Sequence, residues 1–309
     1  MPDKISRRHF IESSSLALLF AAYPSWARAQ ERAAFSMADV RDGVGIFQAQ
    51  GGTIAFTIDD AGLAVVDSQF EKTAKICLLE LQKKAAEKPI EFLINTHHHG
   101  DHTGGNAVFR PVARKIVGHE RVPELQRMQA KERKLPEPTA PDTTFAKSWS
   151  GKVGKREIRA KHYGPAHTGG DAVVTFVDAN VAHMGDLVFN ERHPFIDPPA
   201  GASIVNWPKV LDAAIADHDA KTKYIFGHGK GDVVLGGRKE VERFRDYLLK
   251  VVEVARMDIA DGKSRDEIIA RSALEGFDGF FVGNPERMSL ASSLGVAFDE
   301  LTRPAKPAD

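Results

Sequence analysis

Between residues 53 and 94 the chain alternates short apolar runs with one amphipathic helix. Residues Thr53 to Ile58 and Leu63 to Asp67 are apolar runs separated by an Asp-Asp-Ala-Gly turn, which predicts a β-hairpin. The spacing of apolar positions then predicts a helix over residues 70–88. The run Phe92-Leu93-Ile94 predicts a short buried strand, and it leads directly into a cluster of histidines.

The same alternation continues along the rest of the chain. Strands are predicted at residues 116–118, 155–160, 172–177, 181–184 and 224–226, and helices at 121–134, 207–218, 239–261 and 285–301. Residues 135–142 contain three prolines and are predicted to form a loop. Ser264 and Glu267 predict a capping box that starts one more helix. Alternating strands and helices over residues 30–309 predict a single α/β domain with C-terminal helices from about residue 239.

The N-terminus is read as a targeting segment. Arg7 and Arg8 precede an apolar run from Leu16 to Ala22, and Ala27-Arg28-Ala29 follows as a cleavage site. The paired arginines resemble the twin-arginine signal of bacteria, which implies the twin-arginine export machinery as a partner and a periplasmic or secreted location. We therefore expect residues 1–29 to be a cleaved signal peptide. No segment is apolar over enough residues to predict a stable membrane span.

Composition narrows the possible functions. The chain of 309 residues has 42 basic and 42 acidic side chains, so bulk charge does not favour a nucleic-acid partner. Without residues 1–29 it carries two more acidic than basic residues. Cys77 is the single cysteine, which excludes an intramolecular disulfide and any cysteine-based metal cluster. With twelve histidines, a transition-metal site in this chain must use imidazole and carboxylate ligands.

The histidine cluster carries the strongest chemical signal. His97, His99, Asp101 and His102 lie within six residues, directly after the predicted buried strand. A loop at the end of a rigid strand is a good platform for a site. The neighbouring glycines let the backbone coil closely around bound ions. The pattern predicts a metal site.

The motif His97-x-His99-x-Asp101-His102 resembles the signature of the metallo-β-lactamase-fold superfamily of zinc hydrolases. The family's other motifs are matched in chain order by Leu63–Asp67, Gly164-Pro165-Ala166-His167-Thr168, Met184-Gly185-Asp186 and Ile225-Phe226-Gly227-His228-Gly229. The resemblance covers residues 45–231. It implies a four-layered αβ/βα sandwich.

The resemblance also implies a binuclear site. It places His97, His99 and His167 on one zinc ion, Asp101, His102 and His228 on the other, and Asp186 between them. Asp101 would orient a metal-bound hydroxide and take its proton. The implied site has a net positive charge, which favours an anionic substrate. The implied function is that of an exported zinc hydrolase acting on a small-molecule ester, lactone, thioester or amide-like substrate.

Three further residues are candidates for substrate binding. Arg192 and His193 lie on the loop after Asp186, and Lys230 follows His228. A solvated loop is the alternative interpretation of all three. Asp67 is expected to tie loops together beneath the site by hydrogen bonds.

Two other functions remain open at this stage. Some members of the superfamily bind a single iron ion through the same ligands and oxidise sulfur compounds. The chain could alternatively be a non-catalytic metal-binding accessory protein, with the helices after residue 239 as an interface. The motifs end at Gly231, so no residue beyond it is assigned a role.

Overall fold

The computed structural model describes residues 35–304, and its centre is a pair of β-sheets. The first sheet holds seven strands in chain order: β1 Ser36–Arg41, β2 Val44–Gln48, β3 Ile54–Asp59, β4 Gly62–Val66, β5 Ile90–Ile94, β6 Ala113–His119 and β7 Thr143–Phe145. Strands β2 to β4 form an antiparallel meander, whereas β4 to β7 pair in parallel.

The second sheet holds six strands in the order β15-β13-β11-β10-β9-β8. These are β8 Ser148–Val153, β9 Arg156–Lys161, β10 Val173–Phe176, β11 Val181–His183, β13 Lys223–Ile225 and β15 Leu235–Gly236. The short strands β12 Phe189–Asn190 and β14 His228–Gly229 pair in parallel beside it.

Eight α-helices complete the described residues. They are α1 Glu71–Lys84, α2 Gly100–Thr103, α3 Asn106–Phe109, α4 Val122–Arg133, α5 Trp207–Ala216, α6 Arg238–Ala260, α7 Arg265–Ile269 and α8 Leu290–Leu301. None of the helices in the described part of the chain combines the length and apolar character needed to cross a membrane. From Met37 onward the described residues form one compact unit.

The layers follow from the alternation of side chains along the strands. Val66, Ile94 and Val117 of the first sheet share one core with Val174 and Ile225 of the second, so the sheets pack face to face.

A second core joins the outer face of the second sheet to α5, α6 and α8 through large buried rings such as Trp207 and Phe244. Leu63 and Val65 point out of the opposite face of the first sheet, and Cys77 and Leu81 of α1 are fully buried. The predicted four-layered αβ/βα sandwich is confirmed.

Most predicted elements are confirmed, with shifted ends. The hairpin pairs Leu63 with Ile58. Helix α1 ends at Lys84 rather than at residue 88, because Ala86 and Glu87 adopt left-handed φ angles of 49° and 58°. The prediction that the last helix begins at residue 285 is wrong. That helix begins at Leu290, after Ser289 caps it by accepting a hydrogen bond from the backbone N–H of Ser292.

Seven strands were missed, namely β1, β2, β7, β8, β12, β14 and β15. In β1 and β8 most side chains are exposed or half-buried, so their sequences lack a clear apolar alternation. The signal-peptide prediction falls on residues 1–29, which lie outside the described residues.

Candidate metal centre

The histidine cluster is held where β5 ends. The backbone N–H of Asn95 donates to Val117 O, which continues the pairing with β6 by one residue. The amides of Asn95 and Asn106 then bond to each other at 2.8 and 3.1 Å. Helix α2 begins at Gly100, between the two asparagines, with His99 at its N-cap, so His99, Asp101 and His102 lie on one tight turn. A buried amide pair of this kind fixes the path of the loop.

Three histidines converge on one point. His97 Nε2 and His167 Nε2 each lie 3.0 Å from His99 Nδ1. Asp186 Oδ2 lies 4.0 Å from the first of these nitrogens and 3.6 Å from the second. All four ligand atoms lie within 4.8 Å of one another, and all four residues are buried. This is the ligand set that the family resemblance implies for the first metal ion, together with the shared Asp186.

A second set of ligands lies beside the first. His228 Nε2 lies 3.0 Å from Asp101 Oδ2, and His102 Nε2 lies 3.8 Å from the same oxygen. Asp186 reaches this set as well, with Oδ1 at 3.0 Å from His102 Nε2 and Oδ2 at 3.5 Å from His228 Nε2. The structure therefore brings all seven predicted ligands together, with the Asp186 carboxylate in contact with both sets.

The outer nitrogens of the imidazole rings are already committed to hydrogen bonds. His99 Nε2 bonds to Asp197 Oδ2 at 2.8 Å, His102 Nδ1 to Asp67 Oδ2 at 2.7 Å, and His167 Nδ1 to Phe195 O at 2.8 Å. Each acceptor requires the proton on the outer nitrogen. The inner nitrogen is then left with a lone pair.

His97 completes the pattern. The Thr96 hydroxyl donates to Asp67, so its oxygen accepts from His97 Nδ1 at 3.1 Å. Within residues 35–304, His102 Nε2 and Asp186 Oδ1 are buried 3.0 Å apart, and neither has a hydrogen-bond partner outside the ligand cluster. Converging lone pairs and unpartnered buried atoms are costly in a protein interior unless a cation binds them. The donor set fits divalent transition metals.

The pKa values of His97, Asp186 and Asp101 are shifted in the directions that favour metal binding. Burial, reinforced by the surrounding imidazoles, lowers the pKa of His97 well below its ordinary value. Burial alone would raise the pKa of Asp186, but His102 and His228 outweigh it and hold this pKa far below its usual range. The pKa of Asp101 is lowered in the same way by His102 and His228. A neutral imidazole and ionised carboxylates are the forms that bind metals. Burial would lower the pKa of His102, but Asp186, Asp101 and Asp67 outweigh it and hold this pKa well above its ordinary value, so His102 must release a proton when a metal binds.

Two glycines leave space that the site needs. A Cβ on Gly52 would collide with the His102 ring, and a Cβ on Gly227 would collide with Asp186 Oδ1. Gly227 belongs to the last predicted motif, whereas Gly52 was not singled out in the sequence.

A cavity of about 520 Å³ opens onto the cluster, and its volume is suitable for a small organic molecule. Its lining includes the ligands His99, Asp101, Asp186 and His228, and the aromatic side chains Phe70, Phe189 and Phe195. Of the three predicted substrate residues, Arg192 lines this cavity and the other two do not. His193 is buried, and its Nδ1 bonds to the Tyr247 hydroxyl at 2.8 Å. Lys230 Nζ donates to Gly279 O at 2.9 Å.

Sequence reasoning missed Asp197 and the segment before α8. Asp197 orients His99 and lies 3.7 Å from the buried His98 ring, yet no motif surrounds it. Asn284, Arg287 and Met288 line the cavity although they follow the last motif by more than fifty residues. Neither feature has a local signal, because each depends on chain segments that are distant in sequence.

Comparisons with known proteins agree with the fold. The sequence model of the metallo-beta-lactamase superfamily matches residues 51–236. A curated relative, the 2,4-dinitroanisole O-demethylase subunit alpha of Nocardioides sp. (strain JS1661), is 29% identical over 136 residues, which are 42% of this chain and 39% of the relative. This chain therefore aligns with about two fifths of that relative's length.

Two solved structures share the fold at low identity. A metallo-beta-lactamase from Pontibacter korlensis superposes with a TM-score of 0.57 at 19% identity, covering 70% of this chain and 99% of that one. The stereoselective inverting sec-alkylsulfatase Pisa1 from Pseudomonas sp. superposes with a TM-score of 0.72 at 16% identity, covering 86% of this chain and 50% of that one.

Proposed function

Since this chain belongs to the metallo-beta-lactamase superfamily, we propose that it is a metal-dependent hydrolase, and specifically a binuclear zinc enzyme that cleaves an ester, lactone, thioester or amide-like small molecule. One observation carries the binuclear assignment. The Asp186 carboxylate lies within 3.0 to 4.0 Å of imidazole nitrogens from both ligand sets. A carboxylate shared in this way is suited to hold two cations close together.

The seven candidate ligands fall into two sets that share Asp186. His97, His99 and His167 would hold one zinc ion, Asp101, His102 and His228 the other, and Asp186 both. Bound zinc would polarise the scissile carbonyl and make hydroxide available near neutral pH.

The remaining catalytic functions belong to the chain's own groups. Asp101 is ionised and half-buried, and its carboxylate lines the cavity, so it is placed to orient the attacking water. We assign it the proton of that water on the family resemblance. Asp67 and Asp197 hold the rings of His102 and His99 in position.

The complete second ligand set favours two metal ions over the single iron ion of the alternative enzyme. Asp101, His102 and His228 place their ligand atoms within 4.8 Å of one another. The cavity beside the ligands favours a catalyst over an accessory protein, because an accessory protein has no need of a pocket that opens onto its metal. The name of the Nocardioides relative adds a nitroaryl methyl ether to the substrates that we would test.

The test combines metal analysis with substrate profiling of the chain purified from its native host. We expect two equivalents of zinc and turnover of at least one ester, thioester, lactone, amide, sulfate ester or nitroaryl methyl ether. His97→Ala and Asp101→Ala should each lower kcat/KM by more than about 100-fold. His218→Ala is the matched control, because His218 lies outside the cluster and bonds to Thr175 and Ala214.

Three outcomes would contradict the proposal. Full activity of His97→Ala would remove the metal centre from the mechanism. One equivalent of iron would favour the sulfur-oxidising alternative. Two equivalents of zinc without turnover of any substrate would favour the accessory protein.

We also propose export through the twin-arginine machinery. The support is the order of paired arginines, apolar run and Ala-x-Ala site in residues 1–29. The exported chain should have the mass of a protein that begins at Gln30. An unprocessed chain found in the cytoplasm would contradict this proposal.

A further inference from the structure

Part of the cavity lining comes from outside the region that the family model matches. Asn284, Arg287 and Met288 precede α8, and the match ends at residue 236. The cavity that contains the metal ligands is thus lined by three arginines, namely Arg133 of α4, Arg192 of the loop after Asp186, and Arg287. This C-terminal segment is therefore placed to select the substrate.

The C-terminal segment is fixed to the active-site loop by backbone hydrogen bonds. His193 N–H donates to Phe281 O at 3.0 Å, and Phe281 N–H donates to Glu191 O at 2.9 Å. These two bonds form a parallel bridge between Arg192 and Phe281. Gly283 N–H then donates to Met288 O at 3.2 Å, which closes the turn before α8. Arg192 and Arg287 thus stand on segments that support each other.

The three arginines lack the carboxylate partners that other arginines of the chain have. Arg265, for example, bonds to Asp299 at 2.9 and 3.1 Å. Among residues 35–304, no carboxylate oxygen lies within 4.0 Å of a nitrogen of Arg133, Arg192 or Arg287. The Asp232 side chain also lines the cavity but pairs with none of them.

Arg192 and Arg287 instead lie against apolar groups, Arg192 half-buried and Arg287 exposed to solvent. Arg192 Nε is buried without a hydrogen-bond partner, and Nη2 reaches only Met288 Sδ at 3.9 Å. The guanidinium of Arg287 lies 4.3 Å from the centre of the Phe195 ring. A guanidinium stacked on a ring keeps its N–H donors free at its edge, and these donors match the geometry of an oxyanion.

We propose that Arg192 and Arg287 form an anion subsite, and that the substrate carries an oxyanion group separate from the bond that is cleaved. Phe70, Phe189 and Phe195 line the same cavity and would contact an apolar segment joining the two ends of the substrate. The inference rests on the proposed hydrolase function. Water adds across the scissile acyl–oxygen bond, the acyl carbon gains the hydroxyl, the leaving alcohol takes the proton, and the distal anion stays unchanged.

The test uses two esters of equal carbon number that differ only at the distal end, a methyl group in 4-nitrophenyl hexanoate and a carboxylate in 4-nitrophenyl hydrogen adipate. The zinc-loaded enzyme should have the higher kcat/KM for the adipate. Arg192→Gln and Arg287→Gln should each lower kcat/KM for the adipate by about 10- to 100-fold, mainly through KM, because a charge-assisted hydrogen bond is lost. In the same two variants, kcat/KM for 4-nitrophenyl hexanoate should change by no more than about twofold, because this ester has no distal charge.

Controls separate charge from folding. Arg159→Gln removes an exposed arginine outside the cavity and should behave as wild type. Arg287→Lys keeps the charge and should retain an intermediate preference for the adipate. Zinc content must match wild type in every variant. A further experiment identifies the preferred oxyanion. Free hexanoate ion, hexyl sulfate and hexyl phosphate are compared as inhibitors of the wild type and of Arg287→Gln. The anion whose inhibition weakens most in the variant is the one that the subsite prefers.

The experiment distinguishes failure of the anion subsite from failure of the proposed hydrolase function. If the wild type hydrolyses both esters and the glutamine variants affect them equally or not at all, the anion subsite is wrong and the hydrolase function stands. If the zinc-loaded wild type hydrolyses neither these esters nor any other substrate of the panel, the proposed function fails, and the subsite fails with it.

Discussion

At the scale of single residues, Asp67 shows how one carboxylate organises the site from beneath. It follows β4, has a φ of 64°, and is fully buried. Its two oxygens accept hydrogen bonds from the backbone and hydroxyl of Thr96 and from His102 Nδ1, all between 2.7 and 2.8 Å. The expected role of tying loops together beneath the site matches these bonds, which also set the orientation of a metal ligand.

We predict that Asp67→Asn weakens metal binding. The amide nitrogen that replaces one oxygen cannot accept from His102 Nδ1–H, so the ring loses its fixed tautomer. Metal affinity should fall by about 10- to 100-fold, measured by competition with a chelator. Asp217→Asn is the matched control, since Asp217 is partly exposed and bonds to Lys161 and Tyr163 away from the site. Equal affinity of the two variants would contradict the prediction.

At the scale of elements, helix starts show where a sequence rule succeeds and where it fails. Ser264 and Glu267 form the predicted capping box of α7, with Glu267 accepting from Ser264 N–H at 2.8 Å. Helix α8 is capped in the same way by Ser289 and Ser292, but serine at the third position is not the usual Glu or Gln. The pattern therefore did not mark this start, and the helix was predicted to begin too early.

We predict that Ser289→Ala lowers the free energy of unfolding by about 1 kcal/mol, because Ser292 N–H then loses its acceptor at the helix terminus. Urea denaturation followed by circular dichroism would measure the change. Ser272→Ala serves as the control, since Ser272 is exposed in a segment outside the helices and strands. Identical midpoints for the two variants would show that the cap contributes nothing.

At the scale of the whole molecule, buried neutral histidines make stability depend on pH. His119, at the end of β6, donates from Nε2 to Ala146 O at 2.9 Å and accepts from Arg121 N–H at 3.4 Å. Burial, together with the neighbouring His162 ring, lowers the pKa of His119 to about 4. The unfolded chain, with a pKa of about 6.5 for this group, binds a proton at a higher pH than the folded chain does.

We predict that this difference destabilises the fold as pH falls. Between pH of about 6.5 and about 4 the unfolded state takes up the proton first, so the free energy of unfolding decreases. Above this window the stabilisation is fully present. His119→Gln removes the titration and should give a shallower decline, measured by urea denaturation of both metal-free proteins from pH 7 to 4.5. Parallel curves would contradict the prediction, because every other titrating group is shared.

The amino-acid sequence was enough to predict most of the elements and, through the family resemblance, the seven candidate ligands. Strand runs, helix periodicity and the side chains at strand ends are local properties, so β4, β5 and the cluster around His97 could be predicted from a few residues each. The burial of weakly patterned strands such as β8 could not, because it depends on neighbours that the local pattern does not contain.

The arrangement of the site required long-range contacts. His228 reaches Asp101 across 127 residues, and Asp197 reaches His99 across 98. Arg287 joins the cavity because backbone bonds at Phe281 attach its segment to the active-site loop. Ligand identity is a property of side chains and is visible in the chain itself. The positions of Asp197 and Arg287 are properties of packing between distant segments, and they exist only once the two sheets and the C-terminal helices have come together.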